Sequence, residues 1–263
     1  MKKFYYMVRM VFMEKMAYMK ALLFDAAAAL ASIFVYYCLW RVVFKDRNEM
    51  QGFTMVEITT YIILSRTLAM QFSEGINREY ALWIYEGSIG TEMLRPVRLF
   101  TNLFSRRVGE FLFYITFKAV PIMLLAFLLL GGAGPAGGIN LLLFLLSVLI
   151  SIGIMFYVEV LVGMGSFYTL THYALGYTKT AVLDLLSGSV VPIFLFPGFI
   201  QEILTFLPFA GMVSVPINIF LGKYALRESL MYIGIQCFWV IIMFFWAHGC
   251  FHKVIKKVVV QGG

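Results

Sequence analysis

At 263 residues, 62% hydrophobic and with a mean hydropathy of +0.87, the chain far exceeds the apolar share of a soluble domain, which is roughly half. Charged residues make up 13% and the formal net charge is +7, but the 21 Lys and Arg lie in loops and tails, mostly on one side of the apolar segments. That basic excess addresses the anionic leaflet of a bilayer rather than nucleic acid, which is excluded as a partner. Cys38, Cys237 and Cys250 are an odd set in or beside apolar segments, so they imply no disulfide framework.

Residues 1–20 begin with Lys2 and Lys3, as a signal peptide would, but Arg9, Glu14, Lys15 and Lys20 interrupt any apolar core, and no cleaved signal is expected. Lys2, Arg9 and Lys20 share a helical face among Phe4, Met7, Val8, Val11 and Phe12, with Lys15 projecting elsewhere. An interfacial helix is predicted there.

A bilayer core about 30 Å thick needs roughly 20 apolar residues per helix. Five spans are predicted at 21–44, 55–72, 111–130, 139–164 and 230–247, and one more, the fifth in order, at 180–196. The stretch 182–222 carries Pro192, Pro197, Pro208 and Pro216 with Gly188, Gly198, Gly211 and Gly222. Proline removes a backbone donor, and non-helical backbone at membrane depth survives only under protein or beside a wet cavity. After the fifth span, a re-entrant hairpin is therefore expected, with arms at 199–207 and 213–220 and a turn at 208–211. Six spans put both termini on one side, and the Lys/Arg bias makes that side cytoplasmic and the hairpin exoplasmic. The fold expected is an all-α integral membrane protein with six transmembrane helices, an N-terminal interfacial helix and an exoplasmic re-entrant hairpin before the last span, forming one domain over 1–263.

No G-x-x-x-x-G-K-[ST] occurs, so the chain has no phosphate cradle of its own; H-E-x-x-H and G-x-S-x-G are also missing. Cys250 lies about 200° around a helix from both His248 and His252, so one face does not present all three to a metal. The long polar stretch 73–110 is more informative. Arg95-Pro96 ends or redirects a helix, Gly87 and Gly90 permit close approach, and Trp83, Ile84, Tyr85, Ile89, Met93 and Leu94 offer apolar surface. Such a segment either fits a partner's groove or merely covers helix ends.

Glu86-Gly-Ser-Ile-Gly-Thr-Glu-Met-Leu-Arg-Pro96, Ser187-Gly-Ser-Val-Val-Pro-Ile-Phe-Leu-Phe-Pro197 followed by Leu207-Pro-Phe209 and Pro216, and the ending Val260-Gln-Gly-Gly263 together resemble one family over essentially the whole chain. It is similar to the permease subunits of type 2 ABC exporters, in the branch of uncharacterised six-span permeases. The resemblance implies two permease subunits, identical or related, on two separately encoded cytosolic ATPases that bind the ATP and Mg; this chain would bind no cofactor. It further implies a coupling helix formed by Tyr85, Glu86, Gly87, Gly90, Glu92, Met93, Leu94, Arg95 and Pro96, an N-terminal elbow helix, and a hairpin from Pro197 to Pro216 closing the outer end of the path. The cell membrane is the implied location.

Asp25, Arg66, Lys118, Glu159 and Asp184 fall within spans, where an ionised group costs about 2.5 to 3.5 kcal/mol at the bilayer centre. All map to the cytoplasmic half, either as structural ion pairs or as the lining of a wet vestibule. Depth and sign favour Arg66 with Glu159. Tyr36, Tyr37 and Trp40 are placed for interfacial anchoring, and Phe199, Phe206 and Phe209, with Pro197, Pro208 and Pro216, for an exoplasmic dry gate or for hairpin packing. The reading is an exporter permease subunit without catalytic residues; the alternatives are a non-transporting membrane scaffold or sensor and an ion-driven secondary carrier.

Overall fold

The structure is a computed structural model that describes residues 2–17, 19–72, 75–85, 88–94, 98–166, 168 and 172–254. Twelve α-helices occur among them: α1 (Lys2–Met16), α2 (Met19–Val43), α3 (Met55–Ala69), α4 (Ile76–Tyr85), α5 (Ile89–Met93), α6 (Leu99–Tyr114), α7 (Val120–Leu130), α8 (Gly138–Gly165), α9 (His172–Leu186), α10 (Gly198–Phe206), α11 (Ser214–Phe220) and α12 (Leu226–Val254). The only sheet among the described residues is a small hairpin between α2 and α3, β1 (Glu49–Met50) and β2 (Phe53–Thr54), turned on Gln51 and Gly52, both at positive φ. Among the described residues, four helical stretches are long and apolar enough to cross a bilayer: Leu22–Val43, Leu99–Leu130, Gly138–Gly165 and Leu226–Val254.

The second of these is longer than the expected span at 111–130, because α6 starts at Leu99 and runs through a π-helical turn, Ile115–Ala119, into α7. Pro121 explains the turn. Proline has no N–H to donate and crowds the preceding carbonyls, and one wider turn relieves both problems without breaking the helix. The tail of the polar stretch 73–110 is thus part of a long helix, against which α1 lies. Gly109 permits that approach: a Cβ there would stand 2.8 Å from the Val8 carbonyl oxygen. Phe4 meets Phe104, and Lys15 pairs with Glu110 at 3.2 Å.

Helix α3 starts on a capping box in which Thr54 Oγ1 accepts from the Glu57 N–H and the Glu57 carboxylate accepts from the Thr54 N–H. From Ile58 to Ala69 every residue except Arg66 is buried, so α3, continued by a 3-10 turn at Met70–Phe72, is the centre of the largest core cluster, with α2, α7 and α8 around it. The expected fifth span needs correction. Its helix, α9, runs from His172 to Leu186 and stops well short of Phe196. Gly188, at φ +83°, turns the chain, and Tyr61 Oη donates to its carbonyl at 2.8 Å, fixing the break against α3. Pro192 then caps a 3-10 turn, Ile193–Leu195, and Phe194 stacks on Phe53 with ring centroids 4.1 Å apart.

Two short helices, α10 and α11, follow where the arms at 199–207 and 213–220 are expected. Pro197 occupies the N-cap of α10, and Pro216 lies in the first turn of α11, where its missing N–H costs nothing. Every residue of α11 is buried, against α8. Trp40 departs from its expected interfacial role: it is buried and packs on Phe44.

Candidate functional site

The polar stretch between α3 and α6 is joined to the bundle by charge. Glu159 of α8 is fully buried and faces Arg107 of α6 at 3.3 Å and Lys179 of α9 at 3.8 Å, both nearly inaccessible. Arg107 Nη2 also donates to Gln71 Oε1 at 2.8 Å, and Lys179 Nζ donates to Asn77 Oδ1 of α4 at 2.9 Å. Gly75, immediately before α4, sits so tightly on the Glu159 carboxylate that any Cβ there would overlap it, and its φ of +143° independently selects glycine. Thr180 Oγ1 donates to the Phe72 carbonyl at 3.1 Å. Four helices, α4, α6, α8 and α9, are therefore held around one buried carboxylate.

Beneath this fastening, Ile76 and Ile89 join Leu99, Leu103, Phe156, Val160 and Met164 in a separate apolar cluster. On its outer side Arg106 pairs with Glu79 and lies over the Trp83 ring at 5.4 Å. Burial raises the Glu79 carboxyl above the ordinary glutamate range, a shift that Arg106 partly offsets.

The described residues among those expected to couple fall in two helices. Tyr85 ends α4, and Gly90, Glu92 and Met93 belong to the five-residue α5, with Leu94 as its C-cap. Glu86, Gly87, Arg95 and Pro96 lie outside the described residues, as do Gln261, Gly262 and Gly263. Ser88, the one described residue between the two helices, lies in a turn before α5. Glu92 is buried and accepts from Asn102 Nδ2 at 3.4 Å, and Ile89 turns inward, whereas Leu94 is 87% exposed. Of the apolar surface expected here, Ile89 serves the interior and Leu94 is presented outward.

The other four charges expected within spans gather elsewhere. Asp25, Arg66, Lys118 and Asp184, from α2, α3, the π turn and α9, line a cavity of about 310 Å³ with Ala28, Ala29, Ser32, Ala69, Met70 and Thr180. Lys118 Nζ donates to Asp25 Oδ2 at 2.9 Å, and Ser189 Oγ donates to Asp184 Oδ1 at 2.7 Å. Arg66 is not paired with Glu159, which is already engaged by Arg107 and Lys179. Its guanidinium instead lies 4.8 Å from the Tyr36 ring centroid, a cation–π contact, while Nε and Nη1 are buried without a hydrogen-bond partner among the described residues.

At the opposite end, α10 and α11 are held by polar ties: Gln236 Nε2 donates to the Gly211 carbonyl at 2.5 Å and Trp239 Nε1 to the Phe206 carbonyl at 2.8 Å. Asn140 Nδ2 donates to the Ile219 carbonyl at 2.8 Å. Phe199 and Phe206 are exposed, Phe209 is half-buried, Pro208 is buried and Pro197 exposed.

A family model described as ABC-2 family transporter protein matches residues 30–262. The chain belongs to that family. No curated protein matches the sequence significantly. As an ABC-2-type permease it is a membrane component of an ABC transporter, and the resemblance seen in its motifs is thereby borne out.

Reasoning from sequence missed Arg107 and Lys179 as partners of Glu159 in this ABC-2 permease, treating both as topology markers. A signal existed for Arg107. It falls on the apolar stripe Leu99, Leu103, Phe111 and Tyr114, at steps of three and four residues, where a charge has to find a buried counter-charge.

Proposed function

We propose that this chain is one of two permease halves of an ABC exporter and that a separate cytosolic ATPase drives it by docking on α4, α5 and the segment joining α5 to α6, with α1 alongside. The observation that carries this reading is the junction at Glu159, which ties α4 directly to α6, α8 and α9. A push on a segment so attached moves three bundle helices together rather than bending a loose loop. In this reading α3 and α9 complete six spans, α10 and α11 form a re-entrant exoplasmic hairpin with Phe199, Phe206 and Phe209 near a dry gate, and both termini are cytoplasmic in the cell membrane.

ATP-driven closure of the ATPase pair shifts the permease only by the difference in contact energy between its two states, so contacts at the docking surface decide coupling. The experiment is recovery of the tagged chain from its native membrane in mild detergent, with co-purifying proteins identified by mass and ATPase activity assayed. A Walker-motif ATPase is expected, with or without a second six-span protein. Leu94→Glu, which places a charge on an outward apolar contact, is expected to lower ATPase recovery at least tenfold while the permease keeps its elution volume. Recovery of the chain alone in several detergents would favour a scaffold or an ion-driven carrier.

A further inference from the structure

We propose that the cavity walled by Asp25, Arg66, Lys118 and Asp184 receives an anionic headgroup, a carboxylate or phosphate carried on an apolar chain, and that Arg66 holds it. The role of such binding in transport rests on the permease reading; the binding does not.

The charges of the cavity are unequally satisfied. Asp25 and Lys118 answer one another at 2.9 Å, and Asp184 accepts from Ser189 at 2.7 Å. Arg66 makes no ion pair among the described residues, and two of its nitrogens are buried without an acceptor. A guanidinium does not escape this by losing a proton, and its planar fork matches two oxygens of a carboxylate or phosphate. Of the two acids, Asp25 is neutralised by Lys118 and Asp184 accepts a hydroxyl proton, whereas the Arg66 fork holds buried N–H groups with no acceptor among the described residues. The site's unmet demand is for paired acceptor oxygens, which an anionic headgroup supplies.

Space and approach fit the same ligand class. Ala28, Ala29 and Ala69 leave a hollow of about 310 Å³, at the small end of the range for small-molecule pockets. Beside its rim the Asp25 side chain is 48% exposed, and the adjoining Leu23 and Phe24 of α2 are 76% and 81% exposed. A headgroup inside the cavity would therefore leave its apolar chain lying along an apolar helix face.

The test uses the full chain, with whatever subunits co-purify, in phosphatidylcholine nanodiscs. Spin-labelled stearic acid and its methyl ester are titrated in parallel and the immobilised fraction is read by electron paramagnetic resonance. The acid is expected to bind at least about tenfold more tightly than the ester, as the loss of charge-assisted hydrogen bonds requires, and to be displaced by lysophosphatidate. Arg66→Gln is expected to abolish that preference while leaving ester binding unchanged, and Arg66→Lys to restore part of it. Equal affinity for acid and ester in the unmodified protein, or an undiminished preference in Arg66→Gln, would overturn the proposal. Displacement by inorganic phosphate at the concentrations at which lysophosphatidate acts would overturn the apolar-chain component and assign the site to a free anion. Arg66-dependent binding by a chain that brings down no ATPase would leave this site standing and defeat the ATPase-driven exporter reading alone.

Discussion

The chain holds two groups of charges within its helices, and they are answered to different degrees. Around Glu159 the three charged side chains are 0–2% exposed, and both cations have a second polar partner, Gln71 for Arg107 and Asn77 for Lys179. Around Arg66 one acid is half-exposed and the guanidinium has two idle donors. Burying charge is expensive in either place. Around Glu159, whose two oxygens, like Arg107 Nε, make no hydrogen bond among the described residues, opposite charges on two helices hold the junction; around Arg66 no opposite charge of the described residues comes within ion-pair distance, and the site is open to something from outside. The first group faces the polar stretch that leads to α4 and the second faces an open cavity, so the contrast runs between a mechanical part and a receiving one.

The contrast breaks most directly at Glu159. Glu159→Gln removes the carboxylate that pairs with both Arg107 and Lys179, leaving Glu110, which is itself paired with Lys15, as the nearby acid, and a loss of about 3–5 kcal/mol is expected. Thermal unfolding followed by fluorescence-detected size exclusion would register it as a collapse in the amount of monodisperse protein. Removing one cation as well, in Glu159→Gln with Lys179→Met, is expected to recover part of that loss. An unaltered melting profile for the single variant would mean that the cluster fastens nothing.

Gly75→Ala tests the same junction from the loop side. The backbone strain at positive φ is about 1–3 kcal/mol, and the added methyl forces the carboxylate off its place. A smaller fall in stability than for Glu159→Gln is expected, together with a disproportionate loss of ATPase stimulation in the reconstituted complex, because α4 is displaced while the bundle remains. Equal losses in both readouts would assign Gly75 to folding alone.

Much of this architecture was legible in residue order. Apolar runs of about twenty residues locate the four long helices, since a bilayer leaves little choice of length. Proline and glycine spacing places α10 and α11 to within a residue or two, because those residues act locally on backbone geometry. What was not legible is azimuth. Depth and sign put Arg66 and Glu159 together, but which side of a helix meets which neighbour depends on packing across the bundle, and there Arg107 and Lys179 reach Glu159 first. The end of α9 was misread for a related reason: 187–196 is apolar enough to span, and it is the turn at Gly188, fixed by the long-range bond from Tyr61 to its carbonyl, that stops the helix.

At the open cavity the expected stability effect is small. Arg66→Gln removes a charge that has no ion pair, so unfolding should shift by less than about 1 kcal/mol in either direction. Set beside Glu159→Gln on one instrument, this variant sharpens the distinction between the two clusters. A loss of 3 kcal/mol or more at Arg66 would erase it, placing both groups among structural ion networks.

The smallest effect lies on the rim of the junction, at Glu79, outside the long helices. Burial holds its carboxyl above the ordinary range in the folded protein despite Arg106. The folded state therefore keeps its proton to higher pH than the unfolded chain does, and stability contributed by this group is lost as pH rises through the folded value. Acidification from neutrality toward the ordinary glutamate range should stabilise the protein slightly relative to Glu79→Gln, whose profile over that window should be flatter. Melting temperatures of the two proteins across that range measure the difference. A steeper loss on acidification in the unmodified protein would mean that Arg106 outweighs burial and that the outer pair belongs, with Glu159, to the ion-paired kind.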